Sequence, residues 1–228
     1  MKKPARPESR RNRRQSIIRD FGCTYYDSKV WTRTLWFGLN CGKCPLDLWI
    51  FQEILYETRP SVVIETGTGG GGTTVFLANM MDLLGQGRII TIDRKKVGKP
   101  ESHPLARPIH PRITYLHGSS TSSNVQAELR SLISLEDKVM VDLDSAHGQP
   151  HVSRELDLFS ELVSPGYYLI VEDTNLGHPV KGPPALMGRG PWEAVEEFLK
   201  THPNFKPDSR REKFLMTMNP RGYLRRME

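Results

Sequence analysis

Short apolar runs rich in β-branched residues recur along this chain, and a helical pattern separates each run from the next. Apolar strands that alternate with helices are typical of parallel βαβ units with right-handed crossovers. We therefore predict an α/β fold, a doubly wound and mostly parallel sheet in a Rossmann-like, three-layer α/β/α arrangement, with ligands beyond the carboxyl ends of the strands. The predicted strands are Val62–Ile64, Arg88–Asp93, Ile113–Leu116, Val139–Asp144, Tyr167–Glu172 and Lys213–Met218. The predicted helices run from Pro45 to the residue before Pro60 and over Thr74–Leu84, Ser122–Leu135, His151–Leu162 and Trp192–Leu199.

The basic charge of the chain is concentrated at its N-terminus. The formal net charge is +6, and residues 1–20 carry eight basic and two acidic side chains, so the remainder is neutral overall. Few apolar residues occur in this stretch, which predicts a disordered tail over residues 1–20 and one folded domain over residues 21–228. Because a docking face for nucleic acid is normally basic, we do not expect the neutral body to act on nucleic acid.

Composition also bears on the compartment. No apolar run approaches the roughly 18 residues of a membrane-spanning helix, and no apolar region follows Ser9-Arg10-Arg11 as it would in an export signal. Three cysteines do not make a disulfide framework, and Cys41 and Cys44 lack a second close pair with which to bind zinc. We expect a cytoplasmic protein with reduced thiols. The aromatic segment Tyr25–Lys43 is predicted to be irregular, packed on its own domain or against a second subunit of a homo-oligomer.

A glycine-rich turn follows the first predicted strand and precedes a helix. Gly67, Gly69 and Gly72 satisfy the G-x-G-x-x-G pattern, in which glycine lets the backbone turn sharply and approach a ligand closely. Asp93 ends the next strand, where an acid accepts hydrogen bonds from the ribose hydroxyls of a nucleoside cofactor. We assign cofactor binding to these four residues and to Thr73 at the start of the helix.

Glu65 distinguishes two cofactors that use such a turn. A nicotinamide cofactor seats its pyrophosphate on the helix N-terminus, and the carboxylate of Glu65 beside the turn would repel it. The same carboxylate suits the cationic amino acid end of S-adenosylmethionine. Glu65 therefore favours the methyl donor.

Acidic residues also end two later strands, with Asp144 after VMVDL and Glu172 and Asp173 after YYLIV. Neighbouring parallel strands would bring the three carboxylates together, where they would repel one another strongly without a cation. Oxygen ligands suit Mg²⁺ or another divalent cation, so these three residues are the predicted metal ligands. His147 follows Asp144 by three residues and is the candidate general base, with His151 and His178 as rivals.

Taken in order, these motifs resemble the cephalosporin hydroxylase family and the related rhamnosyl O-methyltransferases of mycobacteria. The likeness runs from about Tyr25 to the C-terminus and includes LDLWIFQEIL, VIETGT, TIDR, GSST, LDSAH, YLIVEDTN, GHPV, GPWEAVEEF and REKF. The resemblance implies an S-adenosylmethionine- and metal-dependent O-methyltransferase that acts on a hydroxyl of a small molecule, a sugar or a secondary metabolite. It also implies that Ser119 or Ser120 lies near the adenine, that His147 stands where the similar catechol-type enzymes carry a lysine base, and that His178 sits on a lid above the site.

The family name leaves an alternative function open, and this chain departs from the family pattern at two places. Its name implies that a member could act in a hydroxylation step or as a partner of a hydroxylase, although neither a two-His-one-carboxylate spacing nor a flavin signature occurs here. Relatives usually read LDSDHS, whereas this chain has Ala146 before His147. After Val180 relatives tend to have a shorter apolar lid, whereas this chain reads KGPPALMGRG. The acceptor is therefore the least transferable part of the resemblance.

Overall fold

Parallel strands form the centre of the structure, a computed structural model that describes residues 10–95, 108–176 and 189–228. Within those residues the central sheet has seven strands in the order β5-β4-β3-β6-β7-β9-β8. They are β3 (Val62–Thr66), β4 (Arg88–Asp93), β5 (Ile113–His117), β6 (Val139–Leu143), β7 (Tyr168–Val171), β8 (Phe205–Pro207) and β9 (Tyr223–Arg226). The strands from β5 to β7 are parallel, and β9 runs antiparallel to both β7 and β8. The order reverses between β3 and β6, which is where an open α/β sheet binds its ligands.

Helices cover both faces of the sheet. They are α2 (Pro45–Thr58), α3 (Gly72–Leu84), α4 (Ser123–Ser131), α5 (Gln149–Ser160) and α6 (Pro191–Thr201). Ahead of them come α1 (Arg10–Asp27), which buries none of its residues, and a small hairpin of β1 (Leu35–Trp36) and β2 (Leu39–Asn40). Alternate residues of each strand point to opposite faces, so Val62 and Ile64 pack with α4, α5 and α6, whereas Val63 packs with α2 and α3. The predicted three-layer α/β/α fold is confirmed.

The ends of the helices follow local signals. Pro45 begins α2, and Arg59 ends it in a left-handed conformation just before Pro60. Gly85 ends α3 in the same conformation, and its amide donates to the carbonyls of Met81 and Asp82. Along the described parts of the chain, none of the helices is both long and apolar enough for a bilayer.

The helix predicted over Ser122–Leu135 ends at Ser131 in the structure, and two further predictions differ from it. The predicted final strand Lys213–Met218 is wrong, because that segment is a turn and loop in which Thr217 and the amide of Met218 donate to buried Asp47; the sheet is completed by β8 and β9 instead. Residues 10–20, assigned to a disordered tail, lie in α1, so the predicted boundary at residue 20 falls inside a helix. Arginine is a good helix former, which favours a helix there without an apolar face.

Candidate active site

The carboxyl ends of β3 and β6 meet through their backbones. The amide of Asp144 donates to the carbonyl oxygen of Thr66 at 3.1 Å and lies 3.2 Å from its hydroxyl. Gly67 comes directly after Thr66 in the chain and has a backbone φ of 85°. A Cβ on Gly67 would lie 1.9 Å from the carbonyl oxygen of Asp144. Glycine is required here because no side chain fits between the two strand ends. The glycine turn and the first predicted metal ligand are thus one piece of structure.

A cavity of about 770 Å³ opens beyond the ends of β3 to β6. Its lining includes four of the predicted cofactor residues, Gly67, Gly69, Asp93 and Ser120, and the predicted metal ligand Asp144. Arg94, Lys95, Gly118, Ser145 and His151 also line it. The predicted position of the ligand site, beyond the carboxyl ends of the parallel strands, agrees with this cavity.

Asp93 holds the glycine turn as well as facing the cavity. Its Oδ2 accepts from the amide of Gly69 at 2.9 Å, and its Oδ1 accepts from the amide of Lys95 at 2.8 Å. Two backbone amides thus engage both oxygens of the carboxylate. The carboxylate is thereby fixed in place at the cavity wall.

Four other predicted cofactor residues are not among the described residues that line the cavity. Gly72 packs on Asn40, whose carbonyl oxygen would lie 2.4 Å from an added Cβ, and the hydroxyl of Thr73 donates to the carbonyl oxygen of Cys41. In the turn after β5, the carbonyl oxygen of Ser119 accepts hydrogen bonds from the amide and the hydroxyl of Ser122. These glycine and hydroxyl groups hold the turns that frame the cavity.

Glu65, the fourth of these residues, is 1% exposed and lies beneath the glycine turn. Its Oε2 accepts from the hydroxyls of Thr74 at 2.5 Å and Thr91 at 2.6 Å. Burial raises the pKa of Glu65 to about 7, although the two threonine hydroxyls act in the opposite direction. The carboxyl group is therefore poised between its neutral and charged forms near neutral pH.

Asp144, Asp173 and His147 form a group that could hold a metal ion. One ligand atom from each lies within 4.8 Å of the others. His147 Nε2 is 3.2 Å from Asp173 Oδ2 and 4.0 Å from Asp144 Oδ1. Burial raises the pKa of Asp173, with His147 acting to lower it. The histidine predicted as a base therefore contacts two predicted ligands directly.

Asp173 is held in an unusual backbone conformation. Its φ is 57°, which is rare for a residue with a side chain, and its amide donates to Asn219 Oδ1 at 3.0 Å. Asn219 is fully buried, and its own amide donates to the hydroxyl of Thr217, which donates to Asp47. Such strain persists only where the surroundings impose it, and it clusters at functional sites. The buried C-terminal loop thus aims Asp173 at the site.

Glu172, the remaining predicted ligand, pairs with Lys43. The Nζ of Lys43 lies 3.2 Å from Glu172 Oε2, 2.8 Å from Asp144 Oδ2 and 3.9 Å from Asp142 Oδ2. Burial opposes the charge of Lys43, but the three carboxylates outweigh it and hold its pKa well above the usual value. Lys43 was not predicted from the sequence, because its partners are about a hundred positions away and no periodic pattern marks it.

His151, a rival for the role of base, lies at the cavity wall. Its Nε2 is 2.9 Å from Ser145 Oγ and 3.4 Å from Ser120 Oγ, while the hydroxyl of Ser145 donates to buried Glu155. The hydrogen bond with Glu155 raises the pKa of His151. The third rival, His178, lies outside the described residues. Of the two candidate bases that the structure describes, His147 is the one beside the predicted metal ligands.

The chain is similar to known proteins of one family. The model of the family described as Rhamnosyl O-methyltransferase/CmcI matches residues 28–227. The rhamnosyl O-methyltransferase of Mycobacterium tuberculosis is 39% identical over 214 residues, which are 92% of this chain and 84% of that protein. The protein of the same name from Mycobacterium leprae is 37% identical, over 92% of this chain and 90% of its own length.

Solved structures share the fold. A CmcI structure described as "Mg-SAM" superposes with a TM-score of 0.65 at 20% identity, covering 86% of this chain and 78% of its own. The O-methyltransferase TomG from Streptomyces achromogenes, solved in complex with SAM, has a TM-score of 0.51 at 17% identity, with the same two coverages. At these identities the likeness establishes a Rossmann-like fold.

Proposed function

This chain belongs to the Rhamnosyl O-methyltransferase/CmcI family, and we propose that it transfers the methyl group of S-adenosylmethionine to a hydroxyl of a rhamnosyl or similar sugar residue. The family match spans most of the chain, and the predicted enzyme class, an O-methyltransferase, is confirmed. The observation that carries the proposal is that the cavity runs from Asp93 and the glycine turn to Asp144, one of the group of possible metal ligands.

The cavity suits a nucleoside cofactor with a sulfonium. Asp93 would accept from the ribose hydroxyls, Gly69 lets the chain pass close to the ligand, and Ser120 would lie toward the adenine. Buried Glu65 would stabilise the cationic amino acid end from beneath the turn. The likeness to CmcI and TomG, whose structures are described with this methyl donor, supports the same ligand here.

The residues present fit a divalent cation. Asp144 and Asp173 offer carboxylate oxygens within 4.8 Å of each other, and Glu172 Oε1 is buried with no hydrogen-bond partner. Buried carboxylate oxygens without a donor are costly unless a cation or water satisfies them. We assign Asp144, Glu172 and Asp173 to the metal, which we take to be Mg²⁺. When bound, such an ion lowers the pKa of a hydroxyl as a Lewis acid.

His147 would act as the general base. In the reaction the acceptor oxygen forms a bond to the methyl carbon, the carbon–sulfur bond breaks, and its electron pair leaves with S-adenosylhomocysteine. The hydroxyl proton would pass to the imidazole of His147, and Asp173 Oδ2, 3.2 Å from its Nε2, would accept from the Nε2–H and stabilise the imidazolium that results. The protein's main task is to hold the acceptor oxygen in line with the departing sulfur.

Methyl transfer to defined acceptors tests the proposal. We would incubate the full chain with S-adenosylmethionine, Mg²⁺ and either an aryl rhamnoside or catechol, and measure methylated product and S-adenosylhomocysteine by mass spectrometry. We expect methylation of the rhamnoside, and its loss with a chelator. Methylation of catechol alone would overturn the sugar assignment. Unchanged turnover with a chelator would overturn the role of the metal.

A further inference from the structure

The side chain of Lys43 places a positive charge inside the carboxylate cluster of the site. Lys43 lies between β2 and α2, is 3% exposed, and reaches the ends of β6 and β7. Its Nζ contacts Asp144 at 2.8 Å and Glu172 at 3.2 Å, two of the three residues assigned to the metal. A buried lysine is rare unless it is paired, so this placement is specific to the cluster.

One ammonium does not satisfy the carboxylates around it. Asp142 is fully buried, with neither oxygen hydrogen-bonded, and Lys43 Nζ is 3.9 Å from its Oδ2. Glu172 Oε1 also lacks a hydrogen-bond partner. The cluster therefore has oxygens to offer to a second positive charge while it holds the first.

The ammonium and a divalent cation would share the same carboxylates. Two cations that approach within a few ångströms in a poorly solvated site repel each other strongly. Asp144 Oδ2 and Glu172 Oε2, both engaged by Lys43, are oxygens of predicted ligands. A bound metal must displace Lys43 from these atoms or bind beside it at an electrostatic cost.

We propose that Lys43 is an internal counter-ion that holds Asp144 and Glu172 when no metal is bound. Its positive charge thereby weakens the binding of the divalent cation and keeps that binding reversible. This inference rests on the metal role in the proposed function. Lys43 acts through the ligands, so it is a positioning residue. It keeps the carboxylates of β6 and β7 together and sets how tightly the ion is held.

Lys43→Met removes the charge and keeps the length of the side chain. We would titrate Mn²⁺ into the full wild-type chain and the variant by calorimetry in the presence of S-adenosylhomocysteine. We expect Mn²⁺ to bind the variant at least about tenfold more tightly, because the repelling charge is gone. Lys206→Met, which neutralises an exposed lysine on β8, is the matched control and should leave the affinity unchanged.

A second variant and a second measurement separate charge from damage to the fold. Lys43→Arg keeps the charge and should bind Mn²⁺ no more tightly than the wild-type chain does. With a chelator, Lys43→Met should unfold at a lower temperature than wild type, and Mg²⁺ should raise its unfolding temperature by more. A merely structural role predicts equal or weaker Mn²⁺ binding by Lys43→Met, and that result would overturn the inference alone. Failure of both wild type and Lys43→Met to bind Mn²⁺ would overturn the metal role and the inference together.

Discussion

Gly67 and Asp144 are in backbone contact, so that a Cβ on Gly67 would lie 1.9 Å from the carbonyl oxygen of Asp144. The contact joins the glycine turn that lines the cavity to the first carboxylate of the candidate metal group. The cavity and the metal group are therefore positioned by the same pair of strands, β3 and β6. A change that separates these strand ends would disturb both functions at once.

Gly67→Ala tests this contact. The left-handed φ of 85° and the clash with Asp144 together predict a loss of about 3 kcal/mol or more in the free energy of unfolding. Gly148→Ala is the control, because an added Cβ at Gly148 meets nothing within 4 Å. Denaturant unfolding of the two variants measures the difference, and equal stabilities would contradict the described contact.

Asp144→Asn is expected to separate turnover from cofactor binding. The change removes one charge from the predicted metal ligands, so we expect turnover to fall about a hundredfold or more. S-adenosylhomocysteine should still bind within a fewfold of wild type, because Asp93 and the glycine turn are unchanged. Initial rates and calorimetry provide the two readouts. Asp157→Asn, at an exposed position of α5, is the control, and wild-type turnover by Asp144→Asn would refute the assignment.

His147→Ala distinguishes a base from a metal ligand. As a base, His147 would be needed for turnover but not for the ion, so the rate should fall about a hundredfold or more while the Mn²⁺ affinity changes little. A metal affinity that falls in step with the rate would instead make His147 the third ligand with Asp144 and Asp173. His151→Ala is the comparison, since His151 lies beside Ser145 and Glu155 and is not the predicted base.

Glu65 predicts a pH dependence of stability. Its pKa is raised from the usual 4.5 to about 7 in the folded protein, so the folded state keeps a proton that the unfolded chain releases. Between these values the free energy of unfolding should fall as pH rises, by up to about 1.4 kcal/mol per pH unit from this group.

The variant Glu65→Gln is neutral at every pH and can still accept from Thr74 and Thr91. In this variant the contribution of residue 65 to the pH dependence of the free energy of unfolding should disappear. Urea unfolding at several pH values, without cofactor, measures both slopes. Glu128→Gln, at an exposed position of α4, should retain the wild-type slope. Equal slopes for wild type and Glu65→Gln would contradict the burial of a titrating carboxyl group.

Periodicity predicted the centre of the fold because the parallel strands are buried on both faces. Arg88–Asp93 has the predicted bounds, and the other four parallel strands agree to within a residue or two. The C-terminal part was harder, since β8 contains Pro207 and β9 contains two arginines, whereas the apolar residues of 213–218 belong to a loop. Short edge strands owe their formation to their neighbours and carry little pattern of their own.

The site was predictable where a residue directly follows a strand. Asp144 and Asp173 come together because they follow the adjacent parallel strands β6 and β7. Lys43 was missed because it reaches Asp144 across a sequence separation of 101. The glycines were only partly understood, since Gly72 accommodates Asn40, not a ligand. Long-range contacts of this kind become visible only when the chain is folded.

Titration of S-adenosylhomocysteine into the wild-type chain and Asp93→Ala tests the central claim most directly. Calorimetry should give binding in the micromolar range to wild type, and Asp93→Ala should weaken it at least about tenfold through the loss of the ribose acceptor. Glu128→Gln should bind as wild type does. The absence of binding to the wild-type chain, with and without Mg²⁺, would contradict the assignment of the cavity to the methyl donor.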